Sequence, residues 1–295
     1  MRTRTEVTAN YKALFINGKT LRFQLDPTKP IVELEYSEFY DISLGDKCAT
    51  GKCQYCYASG NPKGRHYTNI VGKLQFLFGN MPLEQRPFQV AIGGSQESLE
   101  HPEFWEAVKT LKALDIVPNY TTNGVLFDQQ AAELTKEHCG GVAITAHPHL
   151  EKAWRKAVDI AVANHLRVNI HFIVSDAASV EKLKALYLEY KTKIDYIVLL
   201  PYMNVGYAAK NPKTIAYTEL ATWLDSLKKP NIAFGAHFYE FVKRNPQWPI
   251  DIYPPEILSK YMVLDDPITL HDSSFSPEVQ CHRAWLKQPT AHQHK

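Results

Sequence analysis

The sequence predicts an α/β chain: a β/α barrel, whole or partial, of parallel strands. Three observations carry this. Strand-type and helical runs take turns along the chain, little but turn residues separates them, and no internal repeat or low-complexity segment interrupts the order. Aromatic and β-branched runs mark strands at 39–44, 88–92, 118–122, 141–146, 167–174, 196–201 and 232–238. Apolar residues at helical spacing mark helices at 66–78, 102–114, 129–138, 150–164, 180–190 and 217–228. The count suits a partial (β/α)6-type, TIM-like barrel over residues 36–242, after an N-terminal extension at 1–35. Beyond Phe241, Pro246, Pro249, Pro254 and Pro255 break regular structure, and YMVLDDPITLHDSSF reads as a hairpin turning at Asp265-Asp266-Pro267. Residues 243–295 therefore read as a small C-terminal appendage and tail.

Composition excludes several classes. The formal charge is +2, from 33 Lys and Arg against 31 Asp and Glu, so no excess of one sign points to nucleic acid or an anionic membrane. The basic N-terminus MRTRTEVTANYKALF lacks the apolar run of a signal peptide, and no window has the length of a membrane span. A soluble, cytoplasmic protein is expected. Of five cysteines, three fall in CATGKCQYCYASG, while Cys139 and Cys281 stand alone. That suits a metal site better than a disulfide framework.

Cys48, Cys53 and Cys56 follow the first barrel strand, at the C-terminal mouth where such barrels keep their chemistry. Thiolates suit zinc or an iron-sulfur cluster. Zinc wants a fourth protein ligand, for which His66 is a candidate; three cysteines alone leave one iron of a cubane open to a substrate. Gly93-Gly94 taken alone is a tight strand-to-helix turn, and Asn123-Gly124 a turn with a left-handed residue. Thr145 and His147 close the fourth strand, and Asn169 and His171 face inward if their parity in the fifth holds. Such residues are either ligand contacts or satisfied core groups. Cys139 reads as a buried small apolar group, and the tryptophans read as packing.

The three cysteines, with Tyr55 before the last, resemble the cluster motif of the radical S-adenosylmethionine enzymes, with four residues instead of that family's usual three in the first interval. AIGGSQESLEHPEF resembles its glycine-rich stretch, TTNG at 121–124 the end of its third strand, and VNIHFIVS and LLPYMNVG its fifth and sixth strands. The resemblance spans about residues 39–238. It implies one 4Fe-4S cluster on Cys48, Cys53 and Cys56, whose open iron takes the amino and carboxylate groups of S-adenosylmethionine. It also implies reductive cleavage to a 5′-deoxyadenosyl radical that abstracts hydrogen from an organic substrate, a peptide or a small molecule such as a nucleoside. Gly93, Gly94, Ser95 and Glu97 would hold the methionine amino group and Tyr55 would lie by the adenine; Asn123, Thr145, Asn169 and His171 complete the implied cofactor contacts. A reducing partner such as flavodoxin or ferredoxin is implied. The C-terminal hairpin resembles the cluster-bearing appendage of peptide-modifying members, with Ser273 where a cysteine stands; it is expected to cap the barrel without a cluster. The alternative is a non-catalytic protein of the same fold whose cysteines hold zinc or a cluster and whose barrel mouth recognises a partner.

Overall fold

The computed structural model describes residues 1–51, 53–228, 230–248, 259–264 and 269–272. The chain opens with an antiparallel sheet of β1 (Arg2–Glu6), β2 (Tyr11–Ile16) and β3 (Lys19–Gln24), which the sequence reading did not foresee. Its β2–β3 turn is Asn17-Gly18, both with positive φ, as a two-residue hairpin of matching twist requires. Tyr11, Ala13 and Phe15 alternate onto one face and form a small core with Ile31, Leu34 and Phe88. The Phe15 and Phe88 rings stack at 5.2 Å. The basic N-terminus has its explanation here: the Arg2 and Arg4 guanidiniums lie over Phe88 and donate to backbone carbonyls of residues 83–87, fixing this sheet beneath the barrel.

Seven parallel strands then follow in chain order across a curled half-barrel: β4 (Phe39–Ser43), β5 (Gln89–Ile92), β6 (Val117–Thr122), β7 (Gly141–Thr145), β8 (Val168–Val174), β9 (Tyr196–Pro201) and β10 (Ile232–Phe234). The helices on the outside are α1 (Ile70–Leu74), α2 (Phe104–Ala113), α3 (Gln129–His138), α4 (Glu151–Ala163), α5 (Ala177–Tyr190), α6 (Tyr217–Asp225) and α7 (Tyr239–Lys243). Strand parity decides the two faces. Val90, Tyr120, Val142, Ile170 and Leu199 are buried toward the helices, whereas Ala91, Asn119, Ala143, Asn169 and Val198 face the concave side. On α2 and α4 the buried residues recur at i, i+3, i+4 and i+7: Phe104, Ala107, Val108 and Leu111, then Trp154, Ala157, Val158 and Ala161. Each large apolar side chain so buried stabilises the fold by roughly 1.5–3 kcal/mol.

Three expectations need correction. The first barrel helix does not begin at residue 66: residues 66–69 turn back toward the strand, with Gly45 bridged to His66 and Tyr67 N–H donating to Leu44 O. Only Ile70–Leu74 is α-helical, followed by a π turn over Gln75–Gly79, and the Glu103 carboxylate caps its start by accepting from Asn69 and Ile70 N–H. The last strand stops at Phe234, and a 3-10 turn covers Ala236–Phe238. The C-terminal hairpin, β11 (Ser259–Val263) with β12 (Thr269–Asp272), does form, but β11 pairs parallel to β4, so the described hairpin extends the sheet edge. Its turn, and Ser273, Cys281 and His282, lie outside the described residues.

Gly124 adopts φ +84°, and a Cβ there would stand 2.8 Å from Trp154 Cα, a backbone atom that cannot swing aside. Gly124→Ala is expected to cost about 2 kcal/mol or more and to lower Tm by about 4–8 °C in thermal unfolding followed by circular dichroism. An unchanged Tm would contradict this packing of the β6 end on α4.

Candidate functional site

The cysteines sit on a loop with almost no regular structure, so its backbone groups need partners from elsewhere. Part of the answer is internal: Asp46 accepts Arg65 N–H through its side chain at 2.6 Å and Asn61 N–H through its carbonyl, while Cys48 N–H donates to Asn61 O. The rest comes from the neighbouring strand ends. The half-buried Glu100 carboxylate accepts from Ala49 N–H at 2.8 Å, Thr50 N–H at 2.9 Å and the Thr50 hydroxyl at 2.6 Å. Asn123 Nδ2 donates to the same Thr50 hydroxyl at 2.8 Å. From beyond β9, Tyr207 N–H donates to Cys56 O at 2.9 Å, and Gly206, at φ +56°, leaves no room for a Cβ, which would fall 2.2 Å from Tyr57 O.

The loop closes one end of a cavity of about 650 Å³ on the concave face of the half-barrel. Cys48, Cys53 and Cys56 line it, as do Gly93 and Gly94 at the end of β5 and the inward residues Thr145, Asn169 and His171. Expected site residues from several separate segments are thus brought together. Gly94 has φ +95°, a backbone shape that suits glycine. Ser95 Oγ donates to Gly45 O at 2.9 Å and so ties this turn to the start of the cysteine loop. His171 is half-buried, and burial holds its imidazole at about 4, neutral at physiological pH. Tyr55 Oη lies 2.9 Å from His147 Nδ1.

Two expected contacts have partners of their own. Glu97 is buried, with Oε1 accepting from the Thr122 hydroxyl at 2.6 Å and Oε2 from Asn123 N–H at 2.7 Å. Asn123 Oδ1 accepts from Val125 N–H, so its amide braces the loop on both sides. His66, the candidate fourth zinc ligand, is not among the cavity residues; its ring meets His101 edge-on at 4.9 Å. Cys139 lies against the hydrophobic core. Sequence reasoning missed Glu100, Gly51 and His149. Glu100 shares a short acidic loop with Glu97, and only the fold separates their roles.

A donor set of three thiols suits soft metals, zinc or an iron-sulfur cluster. Among the described residues no three His, Cys, Asp or Glu side chains converge as a ligand set for one metal ion. A cubane spreads its three thiolates over three irons and asks for no such convergence. Burial pushes the Cys48 thiol up to about 11 and Cys53 up to about 12, so both are protonated at neutral pH until a metal displaces the proton. Among the described residues no helix is long and apolar enough to cross a membrane.

No protein-family model and no curated protein matches the chain. Solved structures do. Streptococcus suis SuiB bound to precursor peptide SuiA superposes with a TM-score of 0.62 at 14% identity, over 87% of this chain and 66% of SuiB. SuiB bound to S-adenosylmethionine gives 0.63 at 14% identity, over 87% and 67%. A polyhistidine-tagged anSMEcpe with bound AdoMet gives 0.51 at 15% identity, over 70% of this chain and 66% of that one. The chain spans about two thirds of the length of these proteins. The fold is therefore the one these structures share, a curled half-barrel of parallel strands with helices outside.

Burial raises the Glu97 carboxyl to about 7 from an ordinary 4.5, although Thr122, Asn123 and Leu99 donate to it. A carboxyl that binds its proton better in the folded state stabilises the fold fully below its unfolded pKa, and that contribution is lost as pH rises through its folded pKa. In the cofactor-free protein, stability is expected to fall between about pH 4.5 and 7 by up to about 3 kcal/mol through this group. The Tm-against-pH curve of Glu97→Gln should be flatter across that window; parallel curves would place the proton elsewhere.

Glu100→Gln replaces an acceptor-only carboxylate with an amide that directs a donor at donors. Charge-assisted bonds of this kind contribute roughly 1.5–3 kcal/mol each. Anaerobic reconstitution should then yield less than half the iron per chain of wild type, and equal iron would show that the loop holds without this acid.

Proposed function

We propose that the chain is a radical S-adenosylmethionine enzyme that carries one 4Fe-4S cluster on Cys48, Cys53 and Cys56. The observation that carries this reading is the placement of three thiols beside the Gly93-Gly94 turn, at the mouth of one cavity on this fold. The cluster, when bound, supplies the electron that cleaves S-adenosylmethionine to methionine and a 5′-deoxyadenosyl radical.

The chain's own residues bind and orient. The Gly93, Gly94 and Ser95 backbone, which lines the cavity, would let the methionine end come close because two residues lack side chains, and the Glu97 carboxylate, which already accepts from Asn123 N–H, would take the ammonium. Asn123 steadies this corner through Thr50, and Tyr55 would lie by the adenine. Thr145, Asn169 and His171, which line the cavity from β7 and β8, would meet the cofactor's ribose and carboxylate. Because His171 is neutral, it offers one donor and one acceptor and would bring no charge to a bound sulfonium.

A peptide is the favoured substrate, since SuiB, which shares the fold, has been crystallised with its precursor peptide. A low-potential electron donor such as flavodoxin or ferredoxin would reduce the cluster.

The test treats the three cysteines as one unit. Each binds a separate iron, so Cys48→Ala, Cys53→Ala or Cys56→Ala is expected to lose the whole cluster, whereas Cys139→Ser keeps the wild-type iron content. A single-cysteine variant that retains a full cluster and still cleaves S-adenosylmethionine would overturn the assignment.

A further inference from the structure

The cysteine loop of this chain has one residue more between Cys48 and Cys53 than the three usual in the family it resembles, and Gly51 within that interval is tightly enclosed. Gly51 is buried between the two sulfurs: a Cβ there would lie 2.6 Å from Cys48 Sγ and 3.6 Å from Cys53 Sγ. Its carbonyl has two neighbours that can donate. Cys53 Sγ approaches it at 3.5 Å, and His149 Nε2, from the loop after β7, at 2.5 Å. A carbonyl only accepts, so His149 carries its hydrogen on Nε2. That same nitrogen is 3.7 Å from Cys53 Sγ.

A sulfur bound to iron has no proton to donate. The Gly51 carbonyl then depends on His149, whose N–H is shared between that carbonyl and the Cys53 sulfur. The opposite ring atom, His149 Nδ1, stands 3.4 Å from Tyr55 Oη, which in turn lies 2.9 Å from His147 Nδ1. Cys53 is therefore the sulfur set among polar groups, with His147 Nδ1 at 3.9 Å as well. Among described side chains, no ring nitrogen is found at hydrogen-bonding distance from Cys48 or Cys56 sulfur; Cys56 Sγ accepts from Gly60 N–H, at 3.4 Å.

We infer that His149 is a positioning residue, which holds the enlarged cysteine loop in its ligating shape by pinning the Gly51 carbonyl and which donates a hydrogen bond to the Cys53 sulfur. This rests on the cluster reading above. Its consequences are separate from activity. Hydrogen bonds to cluster sulfurs spread negative charge and favour the reduced state, so His149 raises the reduction potential.

The experiment uses the full chain, reconstituted anaerobically with iron and sulfide, and reads iron content and an EPR-monitored redox titration. His149→Phe keeps the ring's bulk and removes the donor; His149→Gln puts a donor back. The Phe variant is expected either to hold less than half the wild-type iron or, where the cluster forms, to show a reduced-to-oxidised ratio about tenfold lower at fixed potential, equivalent to about 59 mV for one electron. The Gln variant should recover most of either loss. Gly51→Ala should lose iron independently, because its Cβ displaces the Cys48 sulfur. Wild-type iron content and potential in the Phe variant would overturn the inference, as would a Gln variant no better than Phe. A wild-type chain that takes up no cluster overturns instead the reading beneath it, and needs no variant to reveal it.

Discussion

The structure depends on holding three thiols on an irregular loop whose internal turns leave part of its backbone to be met by side chains of neighbouring elements. An irregular loop against a half-barrel leaves N–H groups that must be met, and each unmet one costs about 1–3 kcal/mol when buried. Glu100 meets two of them and the Thr50 hydroxyl, and Asp46 meets another. The bonds at Thr50 are part-buried, whereas those at Ala49 and Arg65 are exposed and orient the loop more than they stabilise it. The loop is in effect a side product of the strand ends: it keeps its shape only where β5, β6 and β9 finish at the right height.

The same dependence explains the glycines and the polar interior. Gly206 lets the β9 end press on Cys56, and Gly51 and Gly60 let the loop fold over Cys48. Opposite, the concave face carries Asn169 and His171 where a closed barrel would carry branched apolar residues. An open half-barrel does not fill its interior with side chains, so polar groups there face a cavity of about 650 Å³ and retain hydrogen-bonding capacity for a ligand.

Much of this was legible in the sequence. The strand ranges hold to within a residue or two from β4 to β9, because each strand is bounded by turns and buries one face against the helices. The inward parity of Asn169 and His171 followed from the period of two. The N-terminal sheet was missed although Asn17-Gly18 between alternating runs is a hairpin signal, because these strands lie outside the alternation of strand and helix that marks the barrel. The start of α1 was misplaced because Glu103, more than thirty residues away, caps it, and no local pattern carries that information. Glu100 and His149 were invisible for the same reason: their partners on the cysteine loop are 50 and 98 residues distant, and only the fold brings them together.

The most direct test of the central claim is a low-temperature EPR spectrum of the reconstituted, dithionite-reduced protein, recorded with and without S-adenosylmethionine, alongside metal analysis. About four irons per chain and a reduced-cluster signal whose g-values shift when S-adenosylmethionine is added are the result predicted, since the open iron is where the cofactor binds. A colourless protein with one zinc per chain, or a cluster signal that ignores S-adenosylmethionine, would contradict it.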